Sequence, residues 1–85
     1  MSWSEAGAQQ LGATLRRLRQ ERGLSQESLA FRAGVTKNQV QLIEAGRSSG
    51  RKEAEGPSNP RFSTLAGLSE VLGLRVSELL AEAGL

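Results

Sequence analysis

Lys37, Asn38 and Gln41 place three long hydrogen-bonding side chains at positions i, i+1 and i+4. A lysine ammonium donates to O6 and N7 of guanine, and the amides of Asn and Gln make paired bonds to N6 and N7 of adenine. Such residues are common on any solvated face, so their types alone do not separate base recognition from solubility. The elements that hold them decide between the two.

Those elements lie between Leu24 and Arg47, in the stretch LSQESLAFRAGVTKNQVQLIEAGR. Ser25 suits a helix N-cap, and Glu27 suits the positive end of the helix that follows. Leu29, Ala30 and Ala33 form its apolar stripe, and the small Ala30 fits a close helix crossing. Gly34 suits the left-handed residue that ends a helix, with Val35 as the apolar residue beyond it. Thr36 then caps a second helix, and Gln39 three residues on completes a capping box. Val40 and Ile43 are its inward pair, packing back onto Leu29 and Ala33. Gly46 ends it. Two short helices around a glycine-containing turn make a helix-turn-helix. The outward residues of the second helix are then Lys37, Asn38, Gln41 and Leu42, and its N-terminal end is the one that enters the major groove in this motif. With the turn in place the solvated-face reading loses, because packing does not require three such side chains there.

The pattern Gln26-x3-Ala30-x3-Gly34-x5-Val40-x2-Ile43-Glu44-x-Gly46 resembles the phage-repressor class of helix-turn-helix proteins (Cro/CI or XRE-like). The resemblance takes in nearly all of the chain except its first residues and one loop. It implies an all-α fold, a compact five-helix bundle. It also implies that Gln26 binds phosphate beside the recognition helix, with Thr36 at the helix start and Lys37, Asn38 and Gln41 reading bases. Leu42 matches an outward position that is usually polar. It could meet a thymine methyl or cover the base of the following loop.

The bulk properties agree with one small domain. The chain has 85 residues, 38% hydrophobic and 24% charged, within the globular range. No apolar run is long enough to span a bilayer, and a signal-peptide core is absent, so a cytoplasmic protein without a membrane role is expected. There is no Cys, no His and no Asp. Zinc sites built on Cys or His are excluded, as are Ser-His and Cys-His nucleophilic pairs. Neither an enzyme nor a metal or other cofactor is expected. The net charge of +2 is uneven: residues 1–46 and 47–61 each carry +2, and residues 62–85 carry −2. This suits one face meeting phosphates.

Residues 1–7 read as a tail, with Trp3 unassigned, and residues 8–85 as the domain. Leu11, Leu15 and Leu18 mark an amphipathic helix from about Ala8 to Arg22, closed by Gly23. Its polar face carries Arg16, Arg17, Arg19 and Arg22. By the resemblance, one or more of Arg16, Arg19 and Arg22 approaches the DNA backbone.

Residues 47–60, RSSGRKEAEGPSNP, have nothing to bury and read as a loop, longer than the family's usual connection. Arg47, Arg51 and Lys52 could form a basic arm along the phosphates, or the loop could be a tolerated insertion. Glu53 and Glu55 read as solvated. Asn59 and Pro60 look like an N-cap and first helical residue. Phe62, Leu65, Leu68 and Leu72 would be the buried stripe of a fourth helix, and Gly67 within it points to a close approach. By resemblance, Arg61 reaches toward the minor groove. Residues 76–83 make a fifth helix, in which Leu79 is expected in the core and Leu79, Leu80 or Leu85 could join two subunits.

The expected function is therefore sequence-specific binding of double-stranded DNA by a small transcriptional regulator, a repressor acting as a homodimer. Within 85 residues, any dimer must use the helical domain itself. Two other roles fit the same residues: an antitoxin that binds DNA and a toxin partner, and a helical adaptor that binds another protein.

Overall fold

The computed structural model describes residues 3–47 and 56–85. Within them lie five helices: α1 (Glu5–Glu21), α2 (Gln26–Ala33), α3 (Lys37–Ala45), α4 (Phe62–Val71) and α5 (Val76–Glu82).

Helix α1 starts earlier than the spacing of its leucines suggests. Ser4 is its N-cap, accepting a hydrogen bond from the Gly7 N–H at 3.2 Å, and Glu5 lies in the first turn. The helix therefore takes in the last three residues of the expected tail, Glu5 to Gly7. Trp3, just outside it, is half-buried. Its indole Nε1–H donates to the carbonyl of Ser58, so the N-terminal end is tied to the segment that enters α4.

The turns of the central motif follow the capping chemistry of their residues. Ser25 accepts from the Ser28 N–H at 3.0 Å, and Thr36 from the Gln39 N–H at 3.1 Å. Gln39 Oε1 in turn accepts from the Thr36 N–H at 2.8 Å, completing the capping box. Gly34 and Gly46 end α2 and α3 with φ of +74° and +70°, a region that costs Gly no steric strain. Beyond each glycine the next N–H returns to the helix: Val35 to the Ala30 carbonyl at 3.0 Å, and Arg47 to that of Leu42 at 2.9 Å. This is the hydrogen bond that closes a Schellman turn.

One core joins all five helices. Leu11, Leu15 and Leu18 of α1 meet Leu29 and Ala30 of α2, Val40 and Ile43 of α3, Leu68 of α4, Leu72 at its end, and Leu79 of α5. Two glycines let backbones touch. A Cβ at Gly12 of α1 would collide with the Ile43 carbonyl oxygen and stand 2.8 Å from that of Glu44. A Cβ at Gly67 would lie 2.5 Å from the Ala33 carbonyl oxygen, which accounts for a glycine inside α4. Ala30 is buried, as expected, but the tightest approaches are made by these glycines.

The entry to α4 differs from the expected one. Arg61, not Asn59, is the N-cap, and Phe62, not Pro60, begins the helix. The Ser58 N–H donates to the Gly46 carbonyl at 3.0 Å, and Pro57 bridges to Arg47. These bonds hold the chain extended beside the end of α3, so the helix starts later. Phe62 is then 71% exposed instead of buried, while Thr64, Leu68 and Ser69 face inward. Leu65 is half-buried. At the start of α5 the Arg75 N–H is capped by the Glu78 carboxylate at 2.9 Å. Leu79 is fully buried, so it is core and not free to join two subunits. Leu80 and Leu85 are half-buried and pack against the same core. No helix among the described residues is long and apolar enough to cross a membrane.

Candidate nucleic-acid interface

Helix α3 has two chemically distinct sides. Val40 and Ile43 are 0% and 4% exposed, whereas Lys37, Asn38 and Gln41 are exposed. Thr36, exposed at the N-cap, has its side chain and its N–H engaged with Gln39. Nine helical residues anchored by a capping box at one end and Gly46 at the other present this polar side on a rigid element.

The remaining candidates fall into two groups, one on each flank of α3. At its N-terminal end, a depression is bordered by Arg16, Arg19, Ser25, Gln26, Glu27 and Lys37. This brings Gln26 and Lys37 together. From α1 the depression takes in both Arg16 and Arg19. Arg17 is occupied by Glu21 at 3.2 Å and Glu82 at 3.0 Å. Arg19, expected on the polar face, is 9% exposed. Its Nε donates to Glu44 Oε2 at 2.7 Å, its Nη2 to Glu44 Oε1 at 3.0 Å, and its Nη1 to the Leu24 carbonyl at 2.8 Å. The hydrogen bonds that Arg19 donates to Glu44 raise the Arg19 pKa above the usual arginine value, against the effect of burial. Arg19 is therefore a fixed cation that joins α1 to α3 at the inner edge of the depression. Arg22 is exposed and does not border the depression.

On the other flank an open groove of about 620 Å³ runs between α3 and the start of α4. Its borders include Gln39, Leu42, Arg47, Asn59 and Arg61, so Leu42, Arg47 and Arg61 meet around one concavity. Leu42 is half-buried and lies toward the base of the loop. Arg47 and Arg61 are exposed, which places two cations on this flank. Asn38 and Gln41 border neither concavity and stand on the ridge between them. The arm expected at Arg51 and Lys52, with Glu53 and Glu55, lies outside the described residues.

The residue missed by sequence reading is Glu44, which appeared only as part of a family pattern. It accepts from Gln26 Nε2 at 3.0 Å as well as from Arg19. Its one available signal was an acidic residue at a position otherwise turned toward the core. Among the described residues, no group of three or more His, Cys, Asp or Glu is placed to hold a metal ion.

The family model for a helix-turn-helix domain matches residues 10–83. Among solved structures, the chain is similar to the clp gene regulator ClgR from Corynebacterium glutamicum: 28% identity over 92% of this chain and 72% of that one, with a TM-score of 0.71. It is also similar to the restriction-modification controller protein C.AhdI from Aeromonas hydrophila. Here the identity is 30% over 85% of this chain and 94% of that one, with a TM-score of 0.67. No curated protein matches the chain at a significant level.

Proposed function

The chain belongs to the helix-turn-helix domain family, and from that premise we propose that it is a small transcriptional regulator that binds double-stranded DNA with α3 in the major groove. The observation that carries this reading is the division of α3: Lys37, Asn38 and Gln41 are exposed on a helix whose opposite side is locked into the core by Val40 and Ile43. A helix of ~10–12 Å diameter fills a major groove ~12 Å wide, so these three side chains reach base edges while the flanks meet the two backbones.

Each flank is equipped for that. Arg16 and Gln26 border the depression beside the start of α3, and Arg47 and Arg61 border the groove beside its end. These residues set affinity and salt dependence, whereas Lys37, Asn38 and Gln41 set sequence preference. Thr36 orders the helix start, and Leu42 meets a thymine methyl at the edge of the groove. Both solved relatives carry the names of regulators, one of clp genes and one of restriction-modification, which supports the same role here. Repression follows if the bound site overlaps a promoter.

A homodimer would bind two half-sites about one helical turn apart, ~34–36 Å. Among the described residues, the large apolar side chains most exposed for a second subunit or another partner are Phe31 at 87% and Phe62 at 71%, whereas Leu79 is core.

The test is to replace Lys37, Asn38 and Gln41 together with Ala and compare binding to a selected site and to arbitrary duplex. Loss of the difference between the two, with salt-dependent binding retained, is the expected result. An unchanged preference would reject α3 as the reading element.

A further inference from the structure

Glu44 is part of α3, yet its carboxylate points away from the exposed face. Its side chain keeps 5% of its accessible surface, and that of Arg19 keeps 11%. Three donors converge on this one group: Arg19 Nε at 2.7 Å, Arg19 Nη2 at 3.0 Å and Gln26 Nε2 at 3.0 Å. A single carboxylate thus ties α1, α2 and α3 together at the corner where the depression opens.

The chemistry of the contact settles the orientation of the Gln26 amide. A carboxylate only accepts hydrogen bonds, so the NH₂ end of the amide must face Glu44. Glu44 cannot swing to follow a different orientation, because two charge-assisted bonds from Arg19 hold it in a plane. One N–H of Gln26 is used by this contact, which leaves the second N–H and the carbonyl oxygen. Gln26 is half-buried and borders the depression with Arg16, Arg19, Glu27 and Lys37. A free glutamine loses rotamer entropy when it binds, whereas Gln26 has already lost it in folding.

On the reading that this depression receives a DNA phosphate, we infer that Glu44 is a positioning residue. It holds the Gln26 amide so that the second N–H is presented to a phosphate oxygen, and Arg19 holds Glu44 and compensates its charge. The compensation matters, since the exposed Glu27 already stands on the rim, and a second uncompensated carboxylate would repel the ligand further. Glu44 itself touches no DNA.

The test is a double-mutant cycle on affinity for a synthetic duplex of fixed, arbitrary sequence at low salt, because phosphate contacts carry no sequence information. The proteins are the wild type, Gln26→Ala, Glu44→Met and the double variant, each measured well below its melting temperature. Each single change is expected to weaken binding about tenfold, the scale of a hydrogen bond to a charged group, and the double variant to be no weaker than Gln26→Ala. Glu44→Met also releases the Arg19 charge, but that effect is the same with or without the Gln26 amide and cancels in the cycle. If Gln26→Ala binds as the wild type does, the phosphate role of Gln26 fails and the inference fails with it. If Gln26→Ala weakens binding and Glu44→Met costs the same factor in both backgrounds, Glu44 acts through the fold alone and the inference is overturned. The wild-type protein supplies an independent reading should Glu44→Met not fold. Nitrogen-15 relaxation of side-chain amides in the free protein should find the Gln26 NH₂ as rigid as the backbone and that of exposed Gln41 mobile; equal mobility would contradict the inference.

Discussion

The Cα of Gly12 lies against the carbonyl oxygen of Ile43 with no room for a side chain between them, and the Glu44 carbonyl stands equally in the way at 2.8 Å from an added Cβ. The obstacle is backbone on both counts, so it cannot rotate aside. Gly12→Ala should therefore push α1 away from α3 and cost ~2–3 kcal/mol, although Ala is the better helix former. For a chain of this size that lowers the melting temperature by roughly 8–24 °C. Thermal and urea unfolding check it. Gly67→Ala, which meets the Ala33 carbonyl at 2.5 Å, should behave alike.

Removing one partner of the Arg19–Glu44 pair leaves the other charge largely buried. Arg19→Ala should destabilise by ~3 kcal/mol or more. The double variant Arg19→Met with Glu44→Met should cost much less than the single, because an apolar pair leaves no uncompensated charge. Equal losses from single and double variants in urea titrations would show that packing, and not charge, holds this corner. The pair also has a pH signature. The Arg19 pKa is raised, so its contribution is fully present below the ordinary arginine value and is lost only as pH rises beyond it. Arg19 should therefore impose no pH dependence on stability between pH 6 and pH 9, a window that lies far below that value.

Trp3 reports on the other tether. Trp3→Phe keeps most of the ring and removes the N–H donated to the Ser58 carbonyl, so a loss of ~1 kcal/mol is expected. As the only tryptophan, Trp3 should also shift its emission to longer wavelength on unfolding, because it leaves a half-buried site. Emission already at the fully solvated position in the native protein would refute the tether.

Phe62 and Leu68 are both apolar positions of α4, but they are 71% and 0% exposed. Phe62→Ala should change stability by no more than ~0.5 kcal/mol, whereas Leu68→Ala should cost ~2–5 kcal/mol. Comparable losses would return Phe62 to the core.

Affinity and specificity should separate by residue. Arg47→Ala and Arg61→Ala should each lower the slope of log affinity against log salt by ~1 and leave sequence preference in place. Asn38→Ala should cost ~1–3 kcal/mol of discrimination and leave that slope unchanged. Binding measured from low to moderate salt on a selected and an arbitrary duplex distinguishes the two classes.

How much of this was legible in the sequence follows from the range of each interaction. The caps at Ser25 and Thr36 and the turn at Gly34 involve partners three to five residues away, so local patterns contain them. Lys37, Asn38 and Gln41 were legible as the complement of Val40 and Ile43, whose periodicity assigns the inner side. Arg19 was not, because its partner lies 25 residues on, and an arginine on a helix looks the same whether solvated or paired. The grouping of Gln26 with Arg16 and of Arg47 with Arg61 was hidden likewise, since each depends on how separate helices cross. Phe62 misled because Asn-Pro is a strong start signal, and it was overruled by the bond from the Ser58 N–H to Gly46 and the bond that Trp3 donates to the Ser58 carbonyl.

The most direct test of the central claim is selection of binding sites from random duplex DNA at ~150 mM salt, where exposed charges are screened beyond ~8 Å. Sequence-specific reading by α3 predicts recovery of a short motif, and a homodimer predicts that it is palindromic with half-sites about one helical turn apart. Recovery of no motif, with weak binding that disappears on raising the salt, would leave only phosphate attraction and contradict the account.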